Sequence, residues 1–250
     1  MPYLYRDIIY NSYVTNIFGQ IHCKSSSKKL IKYFRKNYKK YLPKDKSVKI
    51  LELACGMGEF YQFLQEEGYT DYTGVDLSEE EIQYIHENVD KTAKIVKQDI
   101  TSFLKQSKEK EYDVIVFNDC IEHLKKDEIC EVLLEINRVL KENAAVLIKT
   151  PNMANPFLST AGRYIAFDHE IGFTEWSMRE ILRAVKFKNI KIIGTNIYVF
   201  FPIINQIAWL FSKIINIILF LVSALYGRTS IRIFEKDLLA IAYKGDGWEK

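Results

Sequence analysis

From residue 46 to residue 193, short apolar runs alternate with longer stretches in which apolar side chains recur three and four positions apart. The runs are 48–53, 72–75, 93–96, 113–117 and 144–148, and their length and composition predict buried strands. The stretches 59–67, 79–88, 126–140 and 177–184 carry the helical period. Strand and helix in alternation predict right-handed βαβ crossovers, and so a parallel α/β sheet covered by helices on both faces. In such doubly wound sheets ligands bind beyond the carboxyl ends of the strands, where the winding reverses, so the loops that follow strands are the ones to read for chemistry.

The tail leaves this rhythm. Residues 189–193 predict a sixth strand and 238–243 (LLAIAY) a last one, while 200–226 between them are almost uninterruptedly apolar. Lys213 divides that stretch into two runs, each short of the ~20 residues that a bilayer crossing requires. A helical hairpin is expected, serving as a soluble cap, as a dimer contact, or as an element lying in a bilayer surface. The chain as a whole, 1–250, reads as one domain: an N-terminal helical lid over 1–45, a core over 46–196, the apolar cap over 199–228 and a last strand within 236–244.

Composition narrows the class. With 48% hydrophobic and 27% charged residues the chain is an ordinary globular protein, which removes disordered and fibrous readings. Cys23, Cys55, Cys120 and Cys130 lie far apart with no C-x-x-C pair, so neither a zinc site nor a disulfide framework is indicated and a reducing compartment fits. Residues 1–10 lack the continuous apolar core of a secretory signal, and a cytoplasmic placement is expected. The net charge of +3 is unevenly spread. No acid lies between Ile8 and Pro43, whereas Lys28, Lys29, Lys32, Arg35, Lys36, Lys39 and Lys40 crowd one helical segment. That segment is either a solvated face or a contact for anions, an anionic membrane surface among them; no nucleic-acid motif accompanies it. Tyr10, Tyr13 and Phe18, ahead of it, are candidates for a lid over the pocket.

The loop after the first strand reads Glu52-Leu53-Ala54-Cys55-Gly56-Met57-Gly58. Glycines there allow positive φ and close approach of backbone to a ligand. Neither register completes G-x-G-x-x-G, since Glu59 or Tyr61 falls on the third position, and no G-K-[ST] follows. A dinucleotide site, and with it an NAD-dependent reductase, is therefore disfavoured. The second strand ends at Asp76-Leu77-Ser78, placing a carboxylate where nucleotide folds hold ribose hydroxyls. Asp76 could instead cap the following helix, but Ser78, with Glu81 three residues on, is better placed for that.

The stretch from Glu52 to Gly58 resembles motif I of the class I S-adenosylmethionine (SAM) dependent methyltransferases, an acid followed by G-x-G-x-G, with Ala54 in place of the first glycine. The resemblance runs over residues 46–193. It implies a Rossmann-like sheet of seven strands with the last antiparallel, the apolar helical insertion falling between strands six and seven. It implies that Ala54, Cys55, Gly56, Met57 and Gly58 run along SAM by their backbone and that Glu52 orders the loop or meets the amino group. Asp76 and Leu77 would then take the ribose, Asp99 and Ile100 the adenine, and Asn118 would close the pocket after the fourth strand. Within the superfamily the chain resembles the ubiquinone-biosynthesis O-methyltransferases and methyltransferases of bacterial surface glycans.

Methyl transfer from a sulfonium is an in-line displacement that rests on alignment and exclusion of water. A hydroxyl acceptor also needs a base, for which His123 is the first candidate and His169 the second. Asp119, Glu122 and His123 form a D-x-x-E-H cluster that resembles the E-x-x-E-H metal site of ubiquinone-type enzymes; no metal is expected there, and Mg²⁺ or another divalent ion is the alternative. The expected activity is methylation of a hydroxyl on a small amphipathic, lipid-linked or glycan-related acceptor. N-methylation of a small metabolite and a non-catalytic SAM-binding or membrane-scaffold role are the alternatives, and the expected partners are that acceptor, an anionic membrane surface and a second copy bound through the insertion.

Overall fold

The computed structural model describes residues 24–195 and 202–245, together with Ile9. The lid aromatics Tyr10, Tyr13 and Phe18 lie outside the described residues, as does Cys23. Seven strands form one sheet: β1 (Lys49–Leu53), β2 (Asp71–Asp76), β3 (Ile95–Lys97), β4 (Tyr112–Asn118), β5 (Leu140–Pro151), β6 (Lys188–Thr195) and β7 (Asp237–Tyr243). Their order is β3-β2-β1-β4-β5-β7-β6. The first five pair in parallel, and β7 runs antiparallel to both β5 and β6. The winding reverses between β1 and β4, so the loops after these two strands face each other across the switch point.

Helices cover both faces. On one, α1 (Lys24–Asn37) and α2 (Glu59–Glu66) bury Phe34, Tyr38, Phe60 and Phe63 against β1, β4 and β7. Phe34 meets Phe60 edge to face at 5.0 Å, so aromatic packing fixes α1 to the core. Part of the charge on α1 is neutralised there: Arg35 reaches Glu66 at 2.5 Å and Glu67 at 2.7 Å, and Lys39 reaches Glu67 at 2.7 Å. Beside this face α3 (Glu79–Asn88) packs Ile85 on Cys55 and Ala93. The opposite face is covered by α4 (Ile100–Gln106), α5 (Lys126–Val139) and α7 (Glu175–Ala184). Between β5 and α7 runs α6 (Ser159–Tyr164). Neither α4 nor α6 was expected from periodicity, because helices of 7 and 6 residues are too short to show it.

The insertion corrects an expectation. It is not a hairpin but one helix, α8 (Pro202–Leu225), of 24 residues. Nothing between Ile203 and Leu225 can turn the chain, since no glycine or second proline occurs there. Lys213 does not divide it either; its apolar stem stays with the helix while the ammonium reaches Glu235 Oε1 at 3.1 Å. As a single element it is long and apolar enough to cross a membrane by length and composition, and among its described residues none is buried.

Candidate active site

The turn between β1 and α2 takes left-handed backbone at alternate residues, with φ of +55° at Ala54, +52° at Gly56 and +79° at Gly58. Gly58 ends the turn as the first flanking residue of α2, and a β-carbon there would press on Ile85 Cγ1 at 3.0 Å. Cys55 turns into the sheet. Its sulfur lies where Gly74 leaves room, 2.9 Å from the place a β-carbon on Gly74 would occupy. Only the backbone of the turn is therefore left to face a ligand, with Met57 buried beside it. Glu52 is buried too and accepts from Tyr72 Oη at 2.6 Å, and burial pushes its pKa up. Within the chain it orders the strands behind the turn.

Asp76 ties the turn to β2. Its Oδ2 accepts from the Gly56 amide at 2.9 Å and its Oδ1 from the Ser78 amide at 2.9 Å. Ser78, not Asp76, caps α3, accepting from the Glu81 amide at 3.3 Å. Leu77, next to Asp76, is 45% exposed, a large apolar side chain at the edge of the turn. Asp99 stands two residues beyond Lys97, the register partner of Asp76, and caps α4 through the Ser102 amide at 2.9 Å; Ile100 behind it is buried. The turn, Asp76 and Asp99 thus line one edge of the sheet in the order expected.

Sequence reasoning passed over Glu81 as more than a capping neighbour. It is buried, hydrogen-bonded to Asp76, and its Oε1 lies 3.6 Å from where a β-carbon on Gly56 would stand. Burial first, and the Asp76 charge second, push its pKa up to about 9, so at neutral pH it holds its proton and shares it with Asp76. A buried acid one turn into a helix after the β2 carboxylate was the available signal.

Across the switch point the loop after β4 carries the second half of the site. Asn118 Oδ1 accepts from Tyr38 Oη at 2.6 Å, while its Nδ2 is buried with no partner. His123 Nδ1 stands 2.9 Å from Asp168 Oδ2, and its ring meets the ring of His169 edge to face at 4.5 Å. His169 is itself oriented, its Nδ1 lying 2.8 Å from the Gly162 carbonyl. Burial alone would lower the pKa of His123, but the hydrogen bond it donates to Asp168 and the charges of Glu122 and Asp168 outweigh it and hold it above the ordinary value. For His169 burial and the neighbouring His123 both push down, leaving it neutral at pH 7. The two predicted histidines are brought together, and Asp168, one residue before His169, is the orienting partner that reading the sequence did not assign.

The D-x-x-E-H cluster is not assembled. Asp119 turns to Lys149, a buried lysine also held by the charge of Asp237 and lying against Tyr33. In its place, among the described residues, ligand atoms of Glu122, His123 and His169 lie within 4.8 Å of one another. This set does not suit Mg²⁺, a hard cation that takes oxygen ligands, because two of its three groups are imidazoles. It offers one carboxyl, already accepting from Thr150 Oγ1 at 3.0 Å and pushed up to about 7 by burial and by the Asp119 charge.

Comparison with known proteins places this arrangement in a family. The profile described as "Methyltransferase domain" matches residues 27–192, and the chain belongs to that enzyme family. A Bacillus subtilis protein provisionally named methyltransferase YqeM is 33% identical over 106 residues, a stretch covering 40% of each chain, so the match spans two fifths of that relative's length. Among solved structures, a SAM-dependent methyltransferase from Archaeoglobus fulgidus superposes with a TM-score of 0.66 at 21% identity, covering 87% of this chain and 94% of the other. The 1,6-didemethyltoxoflavin-N1-methyltransferase of Burkholderia thailandensis, solved with its substrate and S-adenosylhomocysteine, gives 0.61 at 14% identity over 98% and 91%. These structural likenesses establish the shared fold.

Proposed function

We propose that the protein is a SAM-dependent methyltransferase that methylates a hydroxyl of a small amphipathic, lipid-linked or glycan-related acceptor, with His123 as general base. The observation that carries the reading is the His123–Asp168 pair standing across the switch point from the left-handed turn. Two observations fit the turn to SAM: positions 56 and 58 carry no β-carbon, and Asn118 holds a buried donor without a partner. The backbone of 54–58 would hold the methionine and ribose portions, Asp76 the ribose hydroxyls, and Asp99 with Ile100 the adenine. Bound there, SAM supplies an electrophilic methyl group on a sulfonium.

Asp168 fixes the His123 ring and stabilises its protonated form, so the imidazole can take the acceptor's proton as the oxygen attacks. His169 packs against that ring and helps exclude water. Replacing His123 with Ala is expected to lower kcat by about 10²–10⁴-fold while SAM binding, measured by calorimetry, is retained. Activity unchanged in that variant would favour the second reading, N-methylation, in which the acceptor amine needs less help; the Burkholderia enzyme named above is an N-methyltransferase by name.

A further inference from the structure

At about 100° per residue the polar side chains of α8 fall on one strip: Asn205, Ser212, Asn216 and Ser223 lie within about 40° of one another, with Gln206 and Lys213 at its edge. Apart from Pro202, Trp209 and Phe220, the apolar residues fill the remaining arc of about 240°. The strip is the half-buried side: Asn205, Ser212, Asn216 and Ser223 are all partly covered by the protein. Ile207, Phe211, Ile214, Ile218, Leu221 and Leu225 are exposed, Phe211 by 60% and Leu225 by 85%. The helix is thus turned inside out relative to a surface helix of a water-soluble fold, which hides its apolar stripe.

Both ends of α8 are tied to the body. Six residues separate Pro202 from Thr195, whose hydroxyl is bonded to Tyr33 Oη at 2.8 Å. Beyond Leu225 the chain is caught again at Ser230, whose carbonyl accepts from Trp176 Nε1 at 2.8 Å. Asn152 Nδ2 then holds the carbonyls of Ile233 and Glu235, each at 2.9 Å. Five residues reach at most about 18 Å, against ~30 Å of hydrocarbon in a bilayer. A crossing would strand Arg228 and unpaired backbone in lipid, which is not tolerated.

We propose that α8 lies in the plane of an anionic bilayer surface, its apolar arc sunk among the acyl chains and its polar strip against the protein. An arc of about 240° is twice the face that one partner surface covers, whereas acyl chains close around a helix from every free side. Charge selects the lipid: Arg228 and Arg232 follow the helix, and the exposed Lys28 and Lys32 on α1 lie one turn apart near the end of β6 that leads into it. A second apolar exposure lies in the segment just before Asp168 and His169, Phe157, Tyr164, Ile165 and Phe167 each being 71–88% exposed. The docking does not rest on the transfer chemistry, and its test uses none.

Flotation of the full chain with vesicles of phosphatidylglycerol and phosphatidylcholine is the experiment. The protein should float at low salt and float less at high salt, where the attraction between its basic residues and the anionic lipid is screened. Phe211→Asp with Ile218→Asp should reduce the floated fraction roughly tenfold or more, with the circular dichroism spectrum and SAM affinity unchanged. Arg228→Glu with Arg232→Glu keeps the arc intact and should lower flotation on anionic vesicles while leaving it unchanged on neutral ones. No flotation of the native chain at low salt, or flotation indifferent to the aspartates, would overturn the proposal. So would a dimer in sedimentation velocity that the aspartates dissociate while vesicles bind nothing, which assigns the arc to a second copy.

Discussion

Ala54 holds a left-handed backbone that costs a residue with a β-carbon about 1–2 kcal/mol. Ala54→Gly should therefore raise stability by about 0.5–1 kcal/mol, the relief of strain being partly offset by the extra freedom glycine has when unfolded. A urea midpoint that falls instead would show that the alanine methyl packs usefully. At the base, the acidic limb of the rate profile is the reporter. His123 must be neutral to accept a proton, so activity should rise with pH through its raised pKa. Asp168→Asn removes the pairing carboxylate, and the limb should move to lower pH, with the maximal rate also reduced; a limb that stays in place would remove Asp168 from the role. Much of this site was legible because its parts are local: a turn between strand and helix, and an acid at the end of β2, each visible within ten residues. Lys149 and Asp237 were not, because what joins them is register, and neither was Tyr38, which packing at the end of α1 brings to Asn118. Lys149 stands beside Asn118 only through β4–β5 pairing, and Asp237 beside Thr195 only through β6–β7 pairing.

The element with the strongest consequence is α3, which carries Glu81 to Asp76. Because its folded pKa is raised, Glu81 contributes its stability fully below the ordinary carboxylate range and loses it as pH rises through the raised value. The native protein should therefore weaken across neutral and mildly alkaline pH. Glu81→Gln keeps a donor toward Asp76 with no proton to lose, so urea denaturation at a series of pH values should show the decline blunted in the variant; an unchanged slope would assign the dependence elsewhere. Among the elements, strands and long helices were readable from period, and Ser78 from its capping spacing. The insertion was misread because a charge was taken as a boundary. A single lysine within apolar sequence does not stop a helix when its stem can lie along the surface and its head finds Glu235.

For the whole molecule, the sheet order brings two half-sites together at one switch point: the turn with Asp76 and Asp99 to one side, His123 with Asp168 and His169 to the other. The alternation of strand and helix made that architecture legible, including the antiparallel last strand once the motifs were aligned with the family. What alternation does not carry is the acceptor, since acceptor contacts come from loops and inserted segments that vary on one scaffold. Calorimetry should show SAM binding weakened by about 10–100-fold in Asp76→Ala, the loss of one or two hydrogen bonds to a carboxylate. The most direct measurement of the central claim is a crystal structure with S-adenosylhomocysteine. The account predicts the nucleoside lying along residues 54–58, its ribose on Asp76 and its adenine between Asp99 and Ile100, with the sulfur facing His123. Density for it at any other place on the molecule, or none at saturating concentration, would contradict the account.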